Sequence, residues 1–83
     1  MHEFSLATEI LDVALQAADD AGAGNVTAVH VAMDPTGHLD PSVLADAFEM
    51  AAAGTRASAA TLEVVMEASG NGEVAVIAID IDP

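Results

Sequence analysis

The apolar residues of this chain fall into short segments whose repeat switches between the 3.6 residues of a helix and the 2 residues of a strand. Residues 5–21 and the stretch from Pro41 to Gly54 have the helical repeat, whereas residues 25–33, 60–67 and 73–82 alternate as half-buried strands do. Two helices can cover only one face of a three-stranded sheet. The order α-β-α-β-β therefore predicts a single α+β domain over residues 1–83, in two layers, with a three-stranded mixed sheet and both helices on one face.

Residues with special conformational preferences mark the ends of these segments. Ser5 is the predicted N-cap of the first helix, and Asp40, before Pro41, is the predicted N-cap of the second. The Asn71-Gly72 pair predicts a hairpin over residues 68–72 that joins the second and third strands directly. The pattern leaves the strand order open, although it favours placing the first strand beside the third.

The third strand carries apolar residues in both phases of its alternation. One set is expected to face the helices: Ala75, Ile77, Ile79 and Ile81. Val74 and Val76 then fall on the open face of the sheet, together with Val65 of the second strand. We therefore expect an open face that is partly apolar, and either this face or an unpaired sheet edge could bind a partner or a second subunit.

The charge of the chain limits its partners. Fourteen acidic residues oppose Arg56, the only Arg or Lys, and the formal net charge is −13 at pH 7. Because one such cation cannot neutralise phosphates, nucleic acids and anionic membranes are poor partners, and basic proteins and metal cations are better ones. The longest purely apolar run, residues 74–79, is far shorter than the roughly 20 residues of a membrane helix, and no signal peptide is visible. We expect a cytoplasmic protein with a solvated acidic surface.

None of the common enzyme motifs is present. The chain has no cysteine, and its Gly22-Ala23-Gly24 stretch follows a helix rather than a strand, which argues against a phosphate-binding loop. A chain with one Arg and no Lys also has little to stabilise a developing oxyanion. His30 is interpreted as a strand residue and His38 as a polar loop residue. We expect a protein that is not an enzyme.

The first residues combine several nitrogen donors in a short stretch. Met1 contributes an α-amine, and His2 contributes a backbone amide and an imidazole. An α-amine has a pKa near 7.7–8.0, so it loses its proton to a metal easily. The fused chelate rings of these three nitrogens suit square-planar nickel(II) or copper(II), and the amide nitrogen or the carboxylate of Glu3 could supply a fourth position. Met1, His2 and Glu3 are therefore the candidate metal ligands.

The N-terminal stretch also belongs to an ordered set of short motifs that runs along the whole chain. These are Met1-His2-Glu3-Phe4-Ser5-Leu6-Ala7 with Ile10-Leu11, Asp40-Pro41, Leu44, Ala47-Phe48-Glu49, Gly54-Thr55, Ala60-Thr61-Leu62-Glu63-Val64, and Gly72-Glu73-Val74 through Ile79-Asp80-Ile81. The set resembles the HypA/HybF family of hydrogenase nickel-incorporation proteins, in which the chain usually opens Met-His-Glu-Leu-Ser-Leu-Ala. Phe4 replaces the usual Leu, a change that should only repack the start of the helix.

The resemblance implies a metallochaperone for [NiFe]-hydrogenase maturation. In such a protein Ni(II) is held by the amine of Met1 and the amide and imidazole of His2, and Glu3 contributes either its backbone nitrogen as a ligand or a carboxylate that supports the ligands without binding the ion. The implied partners are the large subunit of a [NiFe]-hydrogenase or a HypB-like GTPase.

The chain departs from the family pattern in one large respect. The family carries a zinc domain with two Cys-x-x-Cys pairs between its last two strands, whereas this chain has only Ala68-Ser69-Gly70-Asn71-Gly72 there and no cysteine anywhere. We therefore expect no zinc, and a hairpin at residues 68–72 in place of the zinc domain. An alternative function is a metal-independent adaptor that docks on a hydrogenase subunit or an assembly factor through the apolar open face. An enzyme or a small-ligand module is a third alternative, which no set of residues supports.

Overall fold

A computed structural model describes the backbone of residues 2–82 and the side chains of residues 3–82. Its elements are helix α1 (His2–Asp20), strand β1 (Asn25–Met33), a single 3₁₀ turn (Pro35–Gly37), helix α2 (Pro41–Ala52), strand β2 (Thr61–Met66) and strand β3 (Val74–Asp82). The predicted α+β class is confirmed, with two helices and a three-stranded mixed sheet. No helix among these residues is long and apolar enough to cross a membrane.

The two helices differ in how well their starts were predicted. Asp40 caps α2 as expected, since its carboxylate accepts a hydrogen bond from the Ser42 N–H at 2.9 Å. The prediction of Ser5 as the first cap is wrong, because α1 already begins at His2. Residues 2–4 contain no helix breaker, and the acidic Glu3 is favourable in a first helical turn, so the helix extends past Ser5.

The strand order is β2-β1-β3, with β1 parallel to β2 and antiparallel to β3. The predicted placement of the first strand beside the third is confirmed. The predicted hairpin is wrong, because β1 lies between β2 and β3. β1 carries Val26, Val29, Val31 and Met33, all at most 1% exposed, and these side chains need the central position in the sheet.

The connection from β2 to β3 crosses the C-terminal end of β1. The Glu67 N–H donates to the Met33 carbonyl at 2.9 Å, and the Asp34 N–H donates to the Glu73 carbonyl at 3.0 Å. Gly70 and Gly72 both have positive φ, of 81° and 70°, which suits glycine. The Asn-Gly signal thus marks a turn, but a turn that spans the width of one strand.

The faces of β3 were predicted only in part. Ile79 and Ile81 pair with the inward-facing Val29 and Val26, as expected. Val74 and Val76 pair with Met33 and Val31, so they also face the helices, contrary to the prediction. A register shift between His30 and Val31 causes the change, because it leaves Ile77 out of the pairing. Ile77 is 55% exposed and lies with Ala32 and Ala75 on the open face.

The core lies between the helices and the sheet and is built largely from small side chains. α1 buries Ala7, Ala14 and Ala18 completely, and these alanines allow close packing against its neighbours. The largest fully buried side chains are those of Phe48, Met33, Leu44, Val26, Val29 and Val31. Val13, also on α1, is half exposed.

Arg56 ties the end of α1 to the rest of the domain. Its guanidinium donates to the carbonyl of Ala23 at 2.7 Å and pairs with the carboxylate of Asp19. Its backbone carbonyl accepts from the Val26 N–H at 3.0 Å. The one Arg of the chain therefore holds the connection between α1 and β1.

Candidate functional site

Of the three predicted metal ligands, His2 and Glu3 belong to the start of α1. Glu3 is half-buried and belongs to the first helical turn. His2 is the first residue of that helix, and only its backbone is described. Met1 and the side chain of His2 lie outside the described part of the chain. The convergence of Met1, His2 and Glu3 on one ion therefore stays a prediction.

The helical start leaves the relevant amides available. The first four N–H groups of an α-helix have no intrahelical carbonyl partner. The amide nitrogens of His2 and Glu3 are among these four in α1. A metal ion could thus replace the proton on the His2 amide without breaking a helical hydrogen bond.

A cleft of about 530 Å³ lies beside this helix start. One wall is the first two turns of α1, and the other is the loop between the 3₁₀ turn and α2. Its lining residues are Glu3, Ser5, Leu6, Glu9, Gly37, His38 and Leu39. The lining of the cleft thus includes two carboxylates from α1 and one imidazole from the loop.

His38 is the residue of this cleft that the sequence reasoning missed. It follows the 3₁₀ turn in the left-handed conformation, with φ 60° and ψ 18°, and it is exposed. Sequence patterns predicted only a polar loop residue here, because nothing local shows that the loop lies against the start of α1. Only the packing of the two helices on the sheet brings these segments together.

The buried carboxylate of Asp34 fixes the first part of this loop. Asp34 is 2% exposed and accepts hydrogen bonds from the Thr36 N–H and hydroxyl, both at 2.9 Å. Its other oxygen accepts from the Ser69 hydroxyl at 3.1 Å and the Gly72 N–H at 2.8 Å. The Thr36 and Gly72 N–H groups hold the pKa of the Asp34 carboxyl well below its usual range. The side chain is therefore a buried anion that joins the loop to the β2–β3 connection.

Asp40 fixes the other end of the loop. Its carboxylate accepts from the Ser42 hydroxyl at 2.7 Å as well as from the Ser42 N–H. These two bonds lower the pKa of Asp40, and the bond from the Ser42 hydroxyl has the larger effect. Residues 37–39 are thus held between two anchored carboxylates.

The remaining histidine lies elsewhere. His30 is on the open face of the sheet, where its Nε2 is 3.0 Å from a carboxylate oxygen of Asp80. It does not line the cleft. His30 therefore serves as a reference for a histidine outside the candidate site.

The donor atoms at the start of α1 suit a transition metal such as nickel(II) only if Met1 and His2 contribute nitrogens. Among the side chains of residues 3–82, no three His, Asp or Glu groups converge closely enough to hold a metal ion. Imidazole and amide nitrogens suit nickel(II) and copper(II), whereas carboxylates alone suit harder ions. A nickel site here therefore needs nitrogen donors from Met1 and His2.

Comparison with known proteins identifies relatives of the chain. A family described as "Hydrogenase/urease nickel incorporation, metallochaperone, hypA" matches residues 1–71. The hydrogenase maturation factor HypA of Roseiflexus sp. is 38% identical over 64 residues, which make up 77% of this chain and 52% of that protein. The HypA of Aeromonas salmonicida is 36% identical over 69 residues, 83% of this chain and 61% of that protein. The chain thus spans roughly half to three-fifths of these relatives.

Solved structures share the fold. The solution structure of the Ni metallochaperone HypA from Helicobacter pylori has a TM-score of 0.84 at 16% identity, covering 96% of this chain and 97% of that one. A second solution structure, of a HypA protein, has a TM-score of 0.81 at 16% identity, covering 98% of this chain and 96% of that one. At this level of identity the likeness concerns the fold.

Proposed function

This chain belongs to the HypA family of hydrogenase and urease nickel-incorporation metallochaperones, and we propose from that membership that it binds nickel(II) as cargo for the maturation of a [NiFe]-hydrogenase. The resemblance read from the motifs is thereby confirmed at the level of the family. The family's described role is metal delivery rather than catalysis, and we assign no catalytic residue.

The proposed ligands are the amine of Met1, the amide and imidazole of His2, and Glu3. Three features support this set. The first-turn amides have no helical acceptor, Glu3 lines the cleft beside them, and the nitrogen donors match the preference of nickel(II). The single observation that carries the proposal is the match of the family to residues 1–71, which includes the Met-His-Glu start.

The proposed unit of function is one domain over residues 1–83. The chain has no cysteine, so it cannot build a four-cysteine zinc site of the kind found in the family. We propose that the β2–β3 connection replaces the zinc domain and closes over the end of β1 through Asp34. A nickel site would then work in this chain without zinc.

The proposed partners are a hydrogenase large subunit or a HypB-like GTPase. A surface with a net charge of −13 favours a partner whose contacting region is basic, because complementary charge steers association. The experiment is co-purification with each partner at low and at high salt.

A metal-independent adaptor is the second candidate, and the open face of the sheet favours it. Val65 is 49% exposed and Ile77 is 55% exposed on this face. Val74 and Val76, the expected contact residues, face the helices instead and cannot serve. An adaptor predicts a complex that survives chelator and is lost in Val65→Glu or Ile77→Glu, whereas the nickel carrier predicts one that depends on metal.

The role of the first residues is tested with a pair of histidine variants. His2→Ala and His30→Ala each remove one imidazole, and nickel(II) affinity is measured by competition with a chromophoric chelator. We expect His2→Ala to abolish tight binding and His30→Ala to retain it. Equal binding by both variants would show that the N-terminal site does not exist.

A further inference from the structure

The Asn71-Gly72 pair lies in the connection between β2 and β3, where the sequence pattern predicted only a turn. Asn71 is exposed, and Gly72 is half-buried with a φ of 70°. Asparagine is a thermolabile residue, and an Asn followed by Gly is especially prone to deamidation because glycine has no side chain to shield its backbone nitrogen. We propose that Asn71 is a site of self-modification by deamidation, and that the Asp34 carboxylate keeps it unreactive in the folded protein. This inference is independent of the proposed nickel site.

The reaction joins the backbone nitrogen of Gly72 to the side-chain carbonyl carbon of Asn71. The nitrogen gives its proton to water or hydroxide and forms a bond to Cγ. The bond from Cγ to Nδ2 breaks, and Nδ2 takes a proton from water and leaves as ammonia. Water then opens the five-membered imide at either of its carbonyl carbons, which leaves aspartate or isoaspartate at position 71. Water is consumed and ammonia released, and nothing is oxidised or reduced.

The structure blocks the nucleophile of this reaction. The Gly72 N–H donates to Oδ2 of Asp34 at 2.8 Å, and Asp34 is 2% exposed. An amide nitrogen attacks only after it loses its proton, and a carboxylate at this distance both holds that proton and repels the negative charge left behind. Gly72 is also packed on another side, because a Cβ on Gly37 would lie 2.5 Å from the Gly72 carbonyl oxygen. Attack on Asn71 therefore requires the bond to Asp34 to break.

The side chain of Asn71, by contrast, is polarised for attack. Its Oδ1 accepts from the Glu73 N–H at 2.9 Å and from the Ser69 hydroxyl at 2.6 Å. Donors aimed at a carbonyl oxygen stabilise the negative charge that develops there when a nucleophile adds to the carbon. The bond between Gly72 and Asp34 is thus the contact that restrains the reaction.

Both products weaken the contact between Gly72 and Asp34. Isoaspartate routes the main chain through its side-chain carbons, which lengthens the turn and displaces the Gly72 N–H. Aspartate replaces the Nδ2 group, which donates to Oε2 of Glu73 at 3.1 Å, with a charged oxygen that repels the same carboxylate. An opening of this turn that lasts long enough for deamidation therefore becomes permanent.

The test compares wild-type protein with Asp34→Asn and Arg56→Gln during incubation at neutral pH, below the melting temperature of each. Arg56→Gln is the matched control, because Arg56 contacts the connection between α1 and β1, at the opposite end of β1 from Asp34. Wild-type protein unfolded in guanidinium chloride gives the unrestrained rate. Cleavage after glutamate releases residues 68–73, and chromatography with mass spectrometry separates the forms that carry asparagine, aspartate and isoaspartate. Circular dichroism verifies the folded state of each variant.

We expect the unfolded wild type and folded Asp34→Asn each to react at least about 10-fold faster than the folded wild type, the effect of losing a hydrogen bond to a charged group. Arg56→Gln should react as the folded wild type does. Equal rates in the folded and unfolded wild type overturn the inference, whether or not Asp34→Asn folds. Equal rates in the wild type and folded Asp34→Asn, or equal acceleration in Asp34→Asn and Arg56→Gln, overturn it as well.

Discussion

The carboxylate of Asp34 accepts a hydrogen bond from the Gly72 N–H at 2.8 Å, although 38 residues separate them in the chain. This bond joins the end of β1 to the connection between β2 and β3. The same carboxylate orients Thr36, and with it the loop that lines the cleft. One buried anion therefore joins the β2–β3 connection to the loop that lines the cleft beside the start of α1.

The stability of the protein should depend on the ionisation of Asp34. Because the folded state lowers the pKa of this group, its ionised form stabilises the fold above the unfolded-state pKa, near 3.9, and this contribution is lost as the pH falls through the folded-state value. Asp34→Asn should be less stable than the wild type at pH 7, and the difference should shrink below about pH 4. Urea unfolding of both proteins from neutral to acidic pH measures the difference. A constant difference over this range would contradict the role assigned to the charge.

Gly37 should tolerate no side chain. A Cβ at this position would lie 2.5 Å from the carbonyl oxygen of Gly72, a backbone atom that cannot rotate away. Gly37→Ala should therefore destabilise the fold by about 1–3 kcal/mol, measured by urea unfolding. Gly70→Ala is the matched control, because Gly70 has a positive φ but open space around its Cβ. Gly70→Ala should lose less stability than Gly37→Ala, because only its backbone conformation is strained. Equal losses in the two variants would contradict the close approach of Gly37 to Gly72.

Arg56 should contribute to stability through its hydrogen bonds to the end of α1. Arg56→Gln removes the charged donor to Asp19 and weakens the bond to the Ala23 carbonyl. Because the side chain is 37% exposed, solvent screens these contacts, and we expect a loss of about 1 kcal/mol. Asp12→Asn, at an exposed position of the same helix, should change the free energy of unfolding by less than about 0.5 kcal/mol. Thermal or urea unfolding distinguishes the two, and equal values would contradict the assigned contacts.

Salt should stabilise the protein. Fourteen acidic residues face a single Arg and repel one another in the compact state, and salt shortens the range of that repulsion from about 30 Å at about 0.01 M to about 3 Å at about 1 M. The melting temperature should therefore rise with sodium chloride, most steeply at low concentration. A melting temperature that is constant or falls would show that the acidic residues do not oppose folding.

Local signals in the sequence predicted most of the secondary structure but not its arrangement. Asp40-Pro41 marked the start of α2, because capping depends only on neighbouring residues. The Asn71-Gly72 signal identified a turn with left-handed glycines, yet pairing depends on which strand needs the centre of the sheet, and β1 takes it. Both phases of β3 are apolar, so its alternation could not reveal the register shift that leaves Ile77 out of the pairing.

The candidate site was likewise only half visible in the sequence. The donors of residues 1–3 are contiguous, and a motif can therefore indicate them. His38 and Glu9 reach the same cleft only through the packing of α1 beside the loop after β1. The αL conformation of His38 carried no recognisable sequence signal, because the following Leu39-Asp40 stretch resembles any loop before a helix.

The central claim is that the free amine of Met1 takes part in binding nickel(II). The most direct measurement is a competition titration of two preparations, one that mass spectrometry shows to begin at an unmodified Met1 and one extended by a few residues before Met1. We predict tight binding, with the absorption bands of a square-planar nickel(II) complex, in the first preparation and its loss in the second. Equal affinity and identical spectra in the two preparations would contradict the account.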